Sequence, residues 1–311
     1  MSSVSYTQGD LGQQRANQRG ILLMIGAMTS FVGNDALAKL ATGSMPVSQV
    51  IAIRGVFASL FVLGLIFASG FGPQFRRIFQ WPVLIRGCME VMVAVTSLVG
   101  LAHVPLGTAT TVGQITPILL LASSAFLLEE RVDGRRWLAV LFCFAGVILV
   151  AHPTANGLNL FILSSLACAV LTALRDLLTH RMGAKVPTLL ATLGTTVVVS
   201  LAGFGGSAFA EWQPLTAHNL MIVMLGGLCL VGGHALVIAA YRGVQVSVVS
   251  PFRYSAIALA VIVGLVVFGD LPDVWTALGM VLITISGLYA AQREIRQRRA
   301  IEAALARDGG G

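Results

Sequence analysis

The sequence predicts an all-α integral membrane protein with ten transmembrane helices, arranged as two inverted five-helix repeats. Three observations carry that expectation. Only 11% of the 311 residues are charged while 56% are hydrophobic, whereas a soluble domain carries about a quarter charged residues. The apolar residues come in runs of about twenty, the length that crosses ~30 Å of hydrocarbon. Among the connecting segments, Lys and Arg occur only in alternate ones, the signature of a fixed orientation in the bilayer. Helices are expected rather than a barrel, because lipid-exposed backbone must satisfy its own hydrogen bonds and no alternating ten-residue strands occur.

Taken in order, the spans fall near residues 20–40, 48–69, 82–102, 107–128 and 135–151, then 158–180, 187–209, 218–240, 246–268 and 273–291. The first nineteen residues are polar and Ser/Gln-rich without an apolar stretch, so the first membrane helix is expected to direct insertion itself. With the N terminus inside, the cytoplasmic segments hold fifteen Lys and Arg residues, including Arg15, Arg76, Arg131, Lys185 and Arg299, and the opposite loops hold none. Both termini are therefore expected in the cytoplasm. The net charge of +7 is then explained by arginines facing anionic lipid, and no nucleic-acid partner is implied. The basic stretch from Gln292 reads as a solvated or membrane-surface helix. The four cysteines, Cys88, Cys143, Cys168 and Cys229, all lie in apolar runs and read as small core residues rather than a disulfide or metal framework.

The two halves match one another. At an offset of 140, Leu128-Glu129-Glu130 lies over Phe268-Gly269-Asp270, and at 141 Asn34-Asp35-Ala36-Leu37-Ala38-Lys39 lies over Arg175-Asp176-Leu177-Leu178-Thr179-His180. Five helices per unit is an odd number, so the second unit enters the membrane from the opposite side, which places a solute site between the units near the midplane. The expected organisation is a cytoplasmic tail over 1–19, one repeat over 20–151, a second over 157–291, and a basic cytoplasmic tail over 292–311.

On these residues the chain resembles the drug/metabolite transporter superfamily with two EamA-type units. The likeness covers residues 20–291 and rests on Pro105-Leu106-Gly107-Thr108-Ala109, the Pro117 turn, Leu128-Glu129-Glu130-Arg131 and Phe268-Gly269-Asp270. The second unit carries Gly269-Asp270 where the family usually has Gly-Glu. Within the superfamily, Asn34-Asp35 with Lys39, Arg54, Arg175-Asp176 and Phe252-Arg253-Tyr254 resemble the bacterial riboflavin and S-adenosylmethionine uptake carriers.

Eight charged residues fall within the spans: Asp35, Lys39, Arg54, Arg86, Glu90, Arg175, Asp176 and Arg253. Facing lipid, they would oppose insertion by roughly 20 kcal/mol at about 2.5 kcal/mol each. They are therefore expected to face the bundle interior, a watery cavity or the interface. Asp35 with Lys39, Arg86 with Glu90, and Asp176 with His180 stand four residues apart on one helix face, close enough to pair. Lys39, Arg86 and His180 lie near helix ends, where snorkelling is the simpler reading. Five cations against three anions give a net positive interior, suited to a polar or partly anionic solute. Around Arg253 stand Phe252 and Tyr254, with Gln114 over Tyr254 in the repeat match. That set would stack and hydrogen-bond a planar heterocycle, although plain packing is the commoner use of such rings. His234 would serve as a proton relay or as a satisfied buried histidine.

The expected function is secondary transport of a small polar metabolite across a bacterial inner membrane by alternating access, with riboflavin uptake as the leading reading. S-adenosylmethionine, nucleobases and amino-acid-like metabolites are the alternatives, and homodimerisation stays open. The solute-binding or gating candidates are Asp35, Arg54, Glu90, Gln114, Arg175, Asp176, His234, Arg253 and Tyr254. An integral-membrane enzyme using Asp35, Asp176 or Glu90 is disfavoured, since no HExxH, GxSxG or Walker motif occurs, and neither a cofactor nor a metal is implied. A channel is disfavoured because no pore loop repeats.

Overall fold

The structure is a computed structural model that describes residues 8–68, 78–127, 134–151, 159–182, 188–242, 244 and 246–308, and every regular element among them is helical. The first half comprises α1 (Gln8–Thr42), α2 (Val47–Ala68), α3 (Trp81–His103), α4 (Leu106–Gly113), α5 (Thr116–Leu127) and α6 (Gly134–Val150). The second comprises α7 (Ile162–Met182), α8 (Thr188–Gly205), α9 (Ala217–Ala240), α10 (Val246–Val249), α11 (Ser255–Val263) and α12 (Val274–Asp308). A 3₁₀ turn, Ser250–Tyr254, leads into α11 and a π turn, Gly264–Phe268, ends it, so residues 246–268 remain one helical run.

Eight helices among the described residues are long and apolar enough to cross a membrane. The fifth expected span is a shorter apolar helix, Trp137–Val150. The fourth, expected as one helix over 107–128, is instead broken into α4 and α5, of eight and twelve residues. Pro117 is the cause: it lacks an N–H, and its ring excludes the carbonyl four residues back, that of Gly113. The Thr116 hydroxyl takes that carbonyl instead, at 2.7 Å. At the tails, α1 begins at Gln8, well before the apolar run, and α12 continues through the basic stretch to Asp308. The Glu129-Glu130-Arg131 motif lies outside the described residues. Its counterpart in the second half has a plain structural use. Gly269 adopts φ 71°, and the amides of Gly269 and Asp270 close onto the carbonyls of Leu265 and Gly264 at 3.1 and 3.0 Å. That left-handed cap stops the helix and is open to glycine at no steric cost.

Packing crosses between the halves. Helix α1 runs along α9, α3 along α7, α2 against α8 and α9, α4 against α11, and α6 against α12. Small residues permit the closest of these approaches. A methyl group on Gly279 of α12 would sit 2.6 Å from the Gly146 carbonyl of α6. The principal core gathers Met24, Met28 and Val32 of α1 with Leu98 of α3 and Val223 of α9. A second gathers Val112, Cys143 and Ile283. Large apolar side chains such as Leu22, Phe67, Ile148 and Ile285 point outward and exposed. In water they would be a liability, but in lipid they are the solvated face.

Candidate functional site

Helices α2, α3, α7, α8 and α9 enclose a cavity of about 130 Å³, enough for several waters at about 10–15 Å³ each. Its walls come from same-face spacings. Arg86, Glu90 and Ala94 form one stripe of α3; Arg54, Ala58, Val62 and Leu65 form one of α2; Thr192, Thr195 and Thr196 form one of α8. Arg175 and His234 enter from α7 and α9. Both halves of the chain thus contribute charge to one space, and the five charged or titratable lining groups need not face lipid.

The charges form two layers. Asp35 lies seven residues before the end of α1 and Arg54 seven after the start of α2, which is about 10 Å from that face at 1.5 Å per residue. The Asn34 amide joins them, donating to Asp35 Oδ1 at 2.9 Å and accepting from Arg54 Nη1 at 3.3 Å. Glu90 lies thirteen residues before the end of α3 and Arg175 thirteen after the start of α7, about 20 Å from the same face. Arg175 Nη1 donates to Glu90 Oε2 at 2.6 Å, while its Nε and Nη2 donate to Asp176 Oδ1 at 3.0 and 2.7 Å. This charge-assisted fork spans the two halves and spends Arg175 on its two acids.

The expected pairs within single helices are replaced by these and other contacts. Arg86 is not bound to Glu90; its Nη1 donates to the Thr179 hydroxyl at 2.9 Å and its Nε to that of Thr195 at 3.3 Å. The reason is Arg175, which reaches Glu90 from the facing helix with better geometry. Lys39 turns away from Asp35, donating to the Val104 carbonyl at 2.6 Å, standing 3.6 Å from Asp270 Oδ2 and 5.2 Å over the Phe268 ring. It ties α1 to the α3 end and to the turn before α12. The side chain of His180 lies outside the described residues.

Other expected members stand elsewhere. Arg253, read from sequence as deep in the ninth span, is exposed and sits in the 3₁₀ turn that leads into α11. Tyr254 is buried, packed with Ile257 and Met280, its hydroxyl against Gly287. Gln114 caps α4 at the α4–α5 break, and Phe252 packs against the main core. The aromatic grip expected around Arg253 is therefore not among the cavity's lining groups. Lys39 and Arg253 stand outside the cavity, whose lining holds Arg54, Arg86 and Arg175 with Glu90; Asp176 binds Arg175 from behind that wall and Asp35 is joined to Arg54 through Asn34. Sequence reasoning overlooked the threonines of α8 and set Arg86 aside as a snorkelling residue. The spacing of Thr192, Thr195 and Thr196 on one face of an apolar helix was the available signal. His234 meets Phe31 edge-on at 5.0 Å, and its Nδ1 lies 2.8 Å from the Leu230 carbonyl.

The cavity is sealed on the side of the α1–α2 turn. Gln49, 1% exposed, donates to the Gln213 carbonyl at 2.7 Å and accepts from the Gln213 amide at 3.0 Å. Beside it, Ser44 donates to Asn219 at 3.2 Å and Trp212 to Ser48 at 3.2 Å. At the other end the lining continues to Leu65, Leu189 and Ile238, near the opposite tips of their helices.

A cavity inside a bundle of apolar helices, lined by charges from both halves, is the arrangement of a multi-pass membrane protein. Residues 18–151 match the EamA-like transporter family. Three relatives extend the likeness along the chain. A riboflavin transporter of Rhizobium johnstonii is 26% identical over 244 residues, 78% of this chain and 80% of that one. An S-adenosylmethionine uptake transporter of Rickettsia bellii is 22% identical, covering 88% and 94%. A pseudopaline exporter of Pseudomonas aeruginosa is 22% identical, covering 86% and 94%. A solved crystal structure, 22% identical, superposes with a TM-score of 0.63 over 89% of this chain and 98% of that one, which supports the fold. The resemblance read from the sequence, to the drug/metabolite transporters and their riboflavin and S-adenosylmethionine branch, is borne out.

Proposed function

We propose that the chain is a secondary transporter that takes up riboflavin across a bacterial inner membrane by alternating access, with both termini cytoplasmic. The observation that carries the reading is the cavity in which Arg54, Arg86, Glu90, Arg175 and His234 converge from both halves, closed by Gln49 and Gln213 on one face. In this reading the halves are inverted repeats. The packing pattern supports it: exchanging the first five spans with the last five turns the α1/α9 pair into the α7/α3 pair and returns α2/α8, α4/α11 and α6/α12 to themselves. With the N terminus inside, the sealed face is the outer one, so the solute is released inward from the state described here. Riboflavin is uncharged and rich in carbonyl and hydroxyl acceptors, which suits a cavity lined by the donors of three arginines. Expression in a riboflavin auxotroph that lacks its own importer is the test. Growth on micromolar vitamin is expected. No growth at normal membrane abundance, with accumulation of labelled S-adenosylmethionine instead, would replace riboflavin with that solute.

A further inference from the structure

Three arginines line one cavity, but their donors are not equally committed. Arg175 has directed Nε, Nη1 and Nη2 onto the carboxylates of Glu90 and Asp176. Arg86 is held by two neutral hydroxyls, Thr179 and Thr195, and its Nη2 has no acceptor among the described residues. Arg54 gives one long bond of 3.3 Å to an amide oxygen, leaving Nε and Nη2 without an acceptor among the described residues. A guanidinium carries five N–H donors in a fixed fork, and unspent donors in a partly desolvated cavity cost free energy until something accepts from them. The two uncommitted forks stand apart along the bundle. Arg54 is seven residues from the sealed end of α2 and Arg86 seventeen from the matching end of α3, an axial separation of about 15 Å at 1.5 Å per residue.

Charge balance sets the second requirement. Arg54, Arg86, Arg175 and Glu90 line the cavity, and two further acids stand behind its wall, Asp176 bound to Arg175 and Asp35 joined to Arg54 through Asn34, so the lining together with its bonded acids balances three against three. A solute bearing a net charge would leave one uncompensated charge within the membrane, where each is costly. Aromatic stacking does not select the solute here, because the rings of Phe252 and Tyr254 are spent on packing.

We infer that the cavity is built for an overall uncharged solute with oxygen acceptors at both ends, one end gripped by Arg86 and the other by Arg54, and that Arg86 determines specificity. Thr179 and Thr195 position the Arg86 fork rather than neutralise it. The inference rests on the cavity being the solute site, as proposed above, but not on the solute being a flavin. Applied to flavins, it ranks riboflavin above its 5′-phosphate, and it disfavours cationic S-adenosylmethionine.

Two measurements on the purified full-length protein separate the parts. In the first, binding of riboflavin and riboflavin 5′-phosphate is followed by flavin fluorescence. Wild type is expected to prefer the uncharged form at least ten-fold; R86Q is expected to weaken riboflavin binding about ten-fold, with R86K recovering part of it. The second needs no ligand: Ala235, which lines the cavity, is replaced by Cys in a background with the four native cysteines changed to Ser. Its reaction rates with anionic and cationic methanethiosulfonates of like size are compared with those of a free thiol. The wild-type ratio is expected within about three-fold of the free thiol, since surface potentials of a few kT would displace it far more. R86Q is expected to shift the ratio several-fold toward the cationic reagent and E90Q toward the anionic one. A wild-type ratio far from the free thiol, or one unmoved by R86Q, overturns the inference whatever the flavins do. If neither flavin binds while the ratios behave as stated, the flavin reading falls and the uncharged-solute inference stands.

Discussion

Replacing Gln49 by Leu is expected to open the sealed face. Gln49 is buried at the start of α2 and exchanges two hydrogen bonds with the Gln213 backbone, at 2.7 and 3.0 Å. Each bond has a net worth of about 1 kcal/mol. Leu fills a similar volume, so the change removes chiefly those two bonds and strands the Gln213 amide and carbonyl, which water satisfies only when the face opens. The closed arrangement then loses about 2 kcal/mol relative to the open one, a roughly thirty-fold shift in their ratio at 1.4 kcal/mol per ten-fold. The readout is a cavity cysteine, Ala58→Cys, labelled in intact cells by a membrane-impermeant thiol reagent applied from outside. Labelling is expected to rise by one to two orders of magnitude in Q49L. An unchanged rate, at matched abundance and with normal folding, would show that Gln49 does not seal the pathway.

Other outcomes follow from the same arrangement. A reporter active only in the periplasm is expected to be active when fused near Asn156 and silent near Arg299; the reverse pattern would overturn the topology. R253A is expected to transport within two-fold of wild type, because Arg253 is exposed and outside the cavity lining; loss of transport would restore it as a gating residue. E90Q is expected to reduce transport at least ten-fold while lowering stability by only about 1–2 kcal/mol, since Arg175 keeps Asp176 and the pair is partly hydrated, at 15% and 26% exposure. Equal loss of folding and transport in thermal-shift and uptake assays would make Glu90 a scaffold residue.

The membrane class and most of the spans were legible because hydropathy and charge placement are local properties of the chain. The break at Pro117 was legible as a turn but not as the end of a helix, since nothing in the neighbouring residues says whether a proline kinks or divides. Partner choice was the least legible. Spacing of four residues made Arg86–Glu90 and Asp35–Lys39 the natural pairs, and the fold overrode both by bringing Arg175 to Glu90 from α7 and Asp270 to Lys39 from the second half. The setting of Arg253 was equally hidden, because nothing in the neighbouring residues announces the 3₁₀ turn Ser250–Tyr254 that carries it at an exposed position.

The packing pairs also indicate which parts move together. Helix α1 lies along α9, and α3 along α7, each pair joining the two halves and carrying interhelical hydrogen bonds: Ser30 to the Cys229 carbonyl at 2.8 Å, and Ser164 to the Thr96 carbonyl at 2.8 Å. The charged or titratable lining groups divide between these pairs, with His234 on the first and Glu90, Arg86 and Arg175 on the second, while Arg54 stands on α2 beside Gly226 of α9. Exposing the cavity to the sealed face then requires the α1/α9 pair to rock against α3/α7 with each pair intact, a rigid-body motion that keeps the Glu90–Arg175 fork whole. Cross-links within a pair are therefore expected to be tolerated. A Cβ at Gly33 would lie 3.8 Å from Cys229 Sγ, so Gly33→Cys is placed to bond the native cysteine. Thr96→Cys with Ser164→Cys does the same for α3 and α7. Uptake by oxidised proteoliposomes is expected to stay within a few-fold of the reduced protein for both. Loss of uptake on oxidation, recovered by reductant, would mean that the helices of a pair slide past one another, and the rocking scheme would fail.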